Sequence, residues 1–93
     1  MPSYIVSYDL RKVRNYDGLT KALRDGNFVS PLESVWLGNS THNAGGLRDV
    51  LKSYMDADDG ILVLELKHGS GWALSKVNDQ KAVTDWIRTN VAP

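Results

Sequence analysis

Apolar and polar positions first fall into a clear pattern between Ser3 and Leu10, where the chain reads Ser-Tyr-Ile-Val-Ser-Tyr-Asp-Leu and then turns to the cations Arg11 and Lys12. A short run of β-branched and aromatic residues predicts a strand, here a central one that carries Asp9 to its end. Successive side chains of a strand take opposite faces, so Tyr4, Val6, Tyr8 and Leu10 share one face and Ile5, Ser7 and Asp9 the other, less apolar one. Val13 to Tyr16 reads as a basic, polar connection. Asn15 is the expected N-cap of a helix running to about Asp25, with Tyr16, Leu19, Ala22 and Leu23 on its apolar face. Gly26-Asn27 supplies residues that tolerate the left-handed conformation and ends it. From Phe28 to Gly38 a strand region contains Pro31, which predicts two short strands or one bent edge strand. Alternation there puts Leu32, Ser34 and Trp36 opposite Glu33, Val35 and Leu37.

The polar stretch Asn39 to Asn43 leads into a second helix, whose Leu47, Val50, Leu51 and Tyr54 follow the i, i+3, i+4, i+7 spacing of an amphipathic stripe. Asp56 to Gly60 reads as a turn. Ile61 to Leu66 is apolar at every position but Glu65, which predicts a strand covered on both faces. Gly69-Ser70-Gly71 reads as a hairpin-type connection returning Trp72 to Val77 as a further short strand. A last helix follows Asn78, with Ala82, Val83, Trp86, Ile87 and Val91 on its apolar face. The expected fold is therefore α+β, a single domain over residues 1–93. It is a ferredoxin-like βαββαβ sandwich with an appended short C-terminal strand and helix. No internal repeat or low-complexity tract interrupts it.

Composition narrows the function. With 93 residues, 42% of them apolar, the chain has room for one core and no second domain. Eleven basic and eleven acidic residues cancel, so the chain lacks the overall positive field of a protein that holds nucleic acid through phosphates, and only a local patch could do so. Having no cysteine, the chain has no disulfide, thiolate nucleophile or cysteine-based zinc site, consistent with a cytoplasmic location. No signal-peptide pattern or membrane-spanning run is expected, and with them no membrane partner.

Several clusters invite chemistry. Asp9 is a single carboxylate without an acidic neighbour in its strand, whereas a divalent metal takes several oxygen ligands. Two copies packed sheet to sheet about a two-fold axis would bring two Asp9 side chains to one ion. Alternatively, Asp9 caps a turn. Arg11, Lys12 and Arg14 could contact phosphate, or form a solvated surface. Asp56, Asp58 and Asp59 are not a calcium loop, because Lys67 stands at the twelfth position, where a bidentate Glu is required; they read as a turn that caps strand and helix ends. His42 and His68 are isolated in polar loops. His42 to Gly46 opens a helix but matches no phosphate-loop spacing. Trp36, Trp72 and Trp86 lie in apolar patterns that a core would claim before a stacked base.

With the elements placed, the chain resembles the CRISPR-associated Cas-two superfamily, and within it the SinR-like proteins, a group related in fold to virulence-associated protein D. Ile5-Val6-Ser7-Tyr8-Asp9-Leu10 is similar to the family's first strand, whose apolar-Tyr-Asp-apolar ending supplies its metal-site aspartate. Ser34-Val35-Trp36-Leu37-Gly38 resembles the family's Ser-Val-aromatic-x-Gly strand. Leu47-Arg48-Asp49 through Asp59-Gly60-Ile61-Leu62-Val63 is similar to its second helix and following strand. The chain departs from the family in its balanced charge, and in a C-terminal helix where the family has a short exchanged strand. The resemblance implies a homodimer with paired first-strand aspartates near a Mg²⁺ site, with endonuclease activity on RNA or DNA in some members and a non-catalytic, nucleic-acid-binding scaffold role beside an integrase in others. In the endonuclease reading the Asp9 pair is catalytic and holds the ion, which activates water. Ser7 and Tyr8 assist by positioning, and Arg11, Lys12 and Arg14 bind the nucleic acid. The alternative is a non-catalytic dimeric binding or assembly module in which Asp9 is structural, accepting hydrogen bonds from backbone N–H groups or from Arg11. The neutral net charge then favours a protein partner over nucleic acid.

Overall fold

The expected first strand is β1, Ser3–Asp9, and it occupies the interior of a four-stranded antiparallel sheet. The computed structural model describes residues 1–11 and 17–93. The elements follow in the order β1, α1 (Asp17–Asp25), β2 (Val29–Leu32), β3 (Val35–Asn39), α2 (Ala44–Lys52), β4 (Gly60–Leu66) and α3 (Gln80–Asn90), with the strands arranged β2-β3-β1-β4. The molecule is thus α+β. Among the described residues no helix is long and apolar enough to cross a membrane.

Alternation in β1 divides the interior into two cores, one on each side of the sheet. Tyr4 and Val6 are buried with Leu19 and Leu23 of α1, Leu47 and Leu51 of α2, and Trp36 of β3. On the other side Leu37 is buried with Val83 and Ile87 of α3 and Val91 just beyond it, and Ile5 packs against them. The last helix therefore docks on its own sheet. Its fixation is explicit: the Gly69 N–H donates to the Val91 carbonyl (2.7 Å), and Trp72 Nε1 donates to the Ala92 carbonyl (2.9 Å).

Local chemistry explains the element ends. After α1, Asn27 takes the left-handed conformation (φ 62°), the Asn27 N–H donates to the Arg24 carbonyl (2.9 Å), and the Phe28 N–H donates to that of Leu23 (3.0 Å). This is a Schellman closure with asparagine in the place that glycine most often takes. The expected N-cap Asn15 and the connection before it lie outside the described residues. At α2 the Asn43 side chain accepts from the Gly46 N–H (2.7 Å), which satisfies one of the donors a helix start leaves open. On the helix surfaces Lys21 and Lys81 donate to Asp25 (2.6 Å) and Asp85 (2.8 Å) one turn on, and these hydrogen bonds raise both ammonium groups above the usual lysine pKa.

Four details differ from the sequence expectation. Trp72 to Val77 forms no strand: the segment lies along β2, where the Asn78 N–H donates to the Pro31 carbonyl (2.8 Å). Proline has no N–H to return, so a ladder cannot continue there, and Trp72, Leu74 and Val77 pack into the second core as irregular chain. β4 is not covered on both faces. It is the sheet's other edge, and Leu62 and Leu64 are 55% and 52% exposed because α3 covers the β2-β3-β1 side. Leu32 stands opposite Val35, hence on its face, because the bulge and two-residue turn between β2 and β3 reset the alternation. Finally, Val50, Tyr54 and Ala82 are exposed; the stripe of α2 narrows to Leu47 and Leu51, and α2 ends before Tyr54.

Gly38 sits opposite Tyr4 in β3, and the ring of Phe28 lies across it so closely that a Cβ would come within 2.3 Å of the ring. Gly38→Ala is expected to displace Phe28 and destabilise the fold by about 1–3 kcal/mol, the usual cost of overpacking a core. Gly71→Ala, where a Cβ meets nothing within 4 Å, is expected to stay within about 0.5 kcal/mol. Urea denaturation of the two variants checks the pair.

Candidate functional site

Asp9 lies at the end of β1 opposite Gly60, the first residue of β4. The backbone leaves the sheet immediately afterwards, so the carboxylate stands largely in solvent, with 71% of its side chain exposed. Arg11 folds back towards it, its Nε donating to Asp9 Oδ2 at 3.3 Å. The same guanidinium donates from Nη1 to the Asp58 carbonyl (3.0 Å), and the Arg11 backbone N–H donates to Asp59 Oδ1 (2.8 Å). Gly60 makes room for this arrangement, since a Cβ there would approach Arg11 Nη2 to 3.0 Å.

The acidic turn is closed by its own carboxylates. Asp59 Oδ2 accepts from the Asp56 N–H (2.9 Å), Asp56 Oδ1 accepts from the Asp58 N–H (3.3 Å), and the Asp59 N–H donates to the Asp56 carbonyl (3.1 Å). Asp59 thus binds the turn with one oxygen and the end of β1, 48 residues away in sequence, with the other. These hydrogen bonds close the turn read from the spacing and hold the segment just after β1, the strand-end part of the expected capping. What that spacing did not reveal is the long-range pairing of Asp59 with Arg11; an acidic turn and a strand-end cation that meet only through sheet register leave no local signal.

The other expected site residues divide. Ser7 shares the face of Asp9 and stands between Val35 and Leu62. Tyr8 takes the opposite face, where its hydroxyl accepts from Trp36 Nε1 (3.1 Å) and its ring packs against the first core. Ser7, Tyr8 and Asp9 therefore do not converge on one point. Lys12 and Arg14 lie outside the described residues. Glu33, in the β2–β3 turn, joins Tyr8, Asp9, Leu10 and Ser34 around a small hollow of about 80 Å³; it is separated from Asp9 by 24 positions in the sequence and carries no motif that would have marked it. Two carboxylates are fewer oxygens than a hard divalent cation takes, and among the described residues no group of three or more metal-ligating side chains gathers. His42 is exposed in its loop; His68 Nδ1 lies 3.0 Å from the Asn90 carbonyl. The three tryptophans belong to the two cores.

No protein-family model matches the chain, and no curated protein matches it.

Because Asp59 satisfies two backbone donors, Asp59→Ala is expected to cost about 1–2 kcal/mol, more than removal of the exposed Asp9 charge. Thermal unfolding of Asp59→Ala beside Asp9→Asn reads the order directly.

Proposed function

We propose that the chain is a ferredoxin-like module that acts as a homodimer in binding or assembly, with Asp9 serving as a structural counter-charge rather than a metal ligand. The strand order β2-β3-β1-β4 with two helical crossovers supports the ferredoxin-like assignment. The observation that carries the role of Asp9 is the Arg11 guanidinium, which takes the space beside the carboxylate and is itself held by the acidic turn. Neutral net charge favours a protein surface as the partner, because each phosphate contact requires a cation. The exposed leucines of β4 provide apolar area for such a contact.

Asp9→Asn tests this reading. The ion pair is exposed on both sides, so its loss costs no more than about 1 kcal/mol, and calorimetry with Mg²⁺ is expected to show no heat for either protein. A stable variant that loses clear Mg²⁺ binding would defeat the proposal.

A second reading, the Mg²⁺-dependent endonuclease of the resemblance, draws on the hollow that Asp9 shares with Glu33. Under it, RNA or DNA would be cleaved in the presence of Mg²⁺ and Asp9→Asn would abolish the cleavage. Cleavage that survives unchanged in the variant excludes it.

A further inference from the structure

The two edges of the sheet are treated differently. β2 is short, contains Pro31, carries a bulge and is capped by the Asn78 N–H, all devices that discourage further pairing. β4 is seven residues long, without proline or lysine, and among the described residues nothing pairs with its outer side. The hydrogen-bonding direction of its residues follows from β1. Tyr8 donates to Ser34 and Pro2 accepts from Ser40, so even-numbered residues of β1 bond towards β3 and odd-numbered ones towards β4. In register, Gly60, Leu62, Leu64 and Leu66 then bond inward to β1, and the N–H and C=O groups of Ile61, Val63 and Glu65 point outward.

We propose that this edge pairs with the β4 of a second copy, antiparallel and centred on Val63, to form a continuous eight-stranded sheet; the inference rests on the homodimeric reading above. In this register Ile61 stands opposite the second copy's Glu65 and Val63 opposite its Val63. Every outward residue meets an outward residue, and each such pair exchanges both of its hydrogen bonds. Leu62 meets Leu64 of the second copy at the closer, non-hydrogen-bonded positions, so the four exposed leucines of the two chains cover one another on the open face. Charge is complementary along the same register. Asp58 and Asp59 precede β4 and Lys67, which donates to Glu65 of its own chain (3.3 Å), follows it, so an antiparallel partner brings the acidic start of one strand to Lys67 of the other. On the opposite face Arg48, whose Nε donates to Asp49 (3.0 Å), lines a hollow of about 240 Å³ beside Ile61, the position that the second copy's Glu65 reaches.

This geometry separates the two Asp9 side chains. With strands ~4.8 Å apart and ~3.4 Å per residue, they stand roughly 25 Å from each other, too far to share an ion. The edge dimer and the two-aspartate metal site exclude one another.

Register-specific cross-linking tests the proposal in a chain that has no cysteine of its own. Leu62→Cys and Leu64→Cys are prepared separately, oxidised alone and as a mixture, and followed by non-reducing electrophoresis. The mixture is expected to yield covalent dimer and each variant alone little, since like positions are offset by two residues and lie beyond disulfide reach. Val63→Pro, which removes an outward N–H and none of the bonds to β1, is expected to stay folded by circular dichroism, with a lower melting temperature because Val63 packs against the first core, and to lose the dimer in sedimentation velocity. Dimer that persists in Val63→Pro, or cross-links as readily in one variant alone, overturns the edge pairing while leaving the homodimeric reading standing. A wild-type chain that sediments as a monomer at 100 micromolar overturns both.

Discussion

Everything in this molecule depends on β1 being hydrogen-bonded on both sides. A strand with neighbours on each edge cannot rotate, so its alternation becomes an assignment of residues to layers: Tyr4 and Val6 to the helices α1 and α2, Ile5 to α3. A slip of one residue in its register would exchange Val6 for Ser7 in the first core and bring the charge of Asp9 towards the apolar side. The fully buried Tyr4 adds a second fixation, because its hydroxyl reaches the His42 carbonyl (2.8 Å) and so ties the strand to the loop that opens α2.

Much of this was readable from the chain. The period of two in Tyr4-Val6-Tyr8, the breaker Gly26-Asn27, and the spacing of Leu47 with Leu51 each express a local rule, and each element lies where that rule puts it. Pro31 marked two short strands or one bent edge strand, and the structure has two short strands, β2 and β3, with Pro31 in the one at the edge. The misreadings share a cause. Ile61 to Leu66 is apolar enough for a strand buried on both sides, but the extent of α3 decides how much of the sheet is covered, and composition of the strand does not contain that information. Trp72 to Val77 follows a glycine-containing connection, as a returning strand would, yet backbone pairing also needs a partner with a free N–H, and Pro31 offers none.

The candidate site was legible only in part. Asp9 and Arg11 are neighbours in sequence and their pairing could be anticipated. The clamp that Asp59 applies to Arg11, and the position of Glu33 beside Asp9, arise from the meeting of β1 with β4 and with the β2–β3 turn. Such meetings are set by register and leave no trace in any short stretch of the chain. Within the aspartate cluster, Asp56 and Asp59 close the turn, since three of their oxygens accept from backbone N–H groups.

The division of the interior by the sheet has a dynamic consequence. Among the described residues the core beneath α3 shares no side chain with the one beneath α1 and α2, and α3 is joined to the rest by the irregular chain that follows β4. Loss of Val83, Ile87 and Val91 from their contacts would release α3 and residues 67–79 together, while the opposite layer kept its packing. Separate packing of this kind makes the C-terminal layer the segment in which sub-global opening is expected, to be read by amide hydrogen exchange.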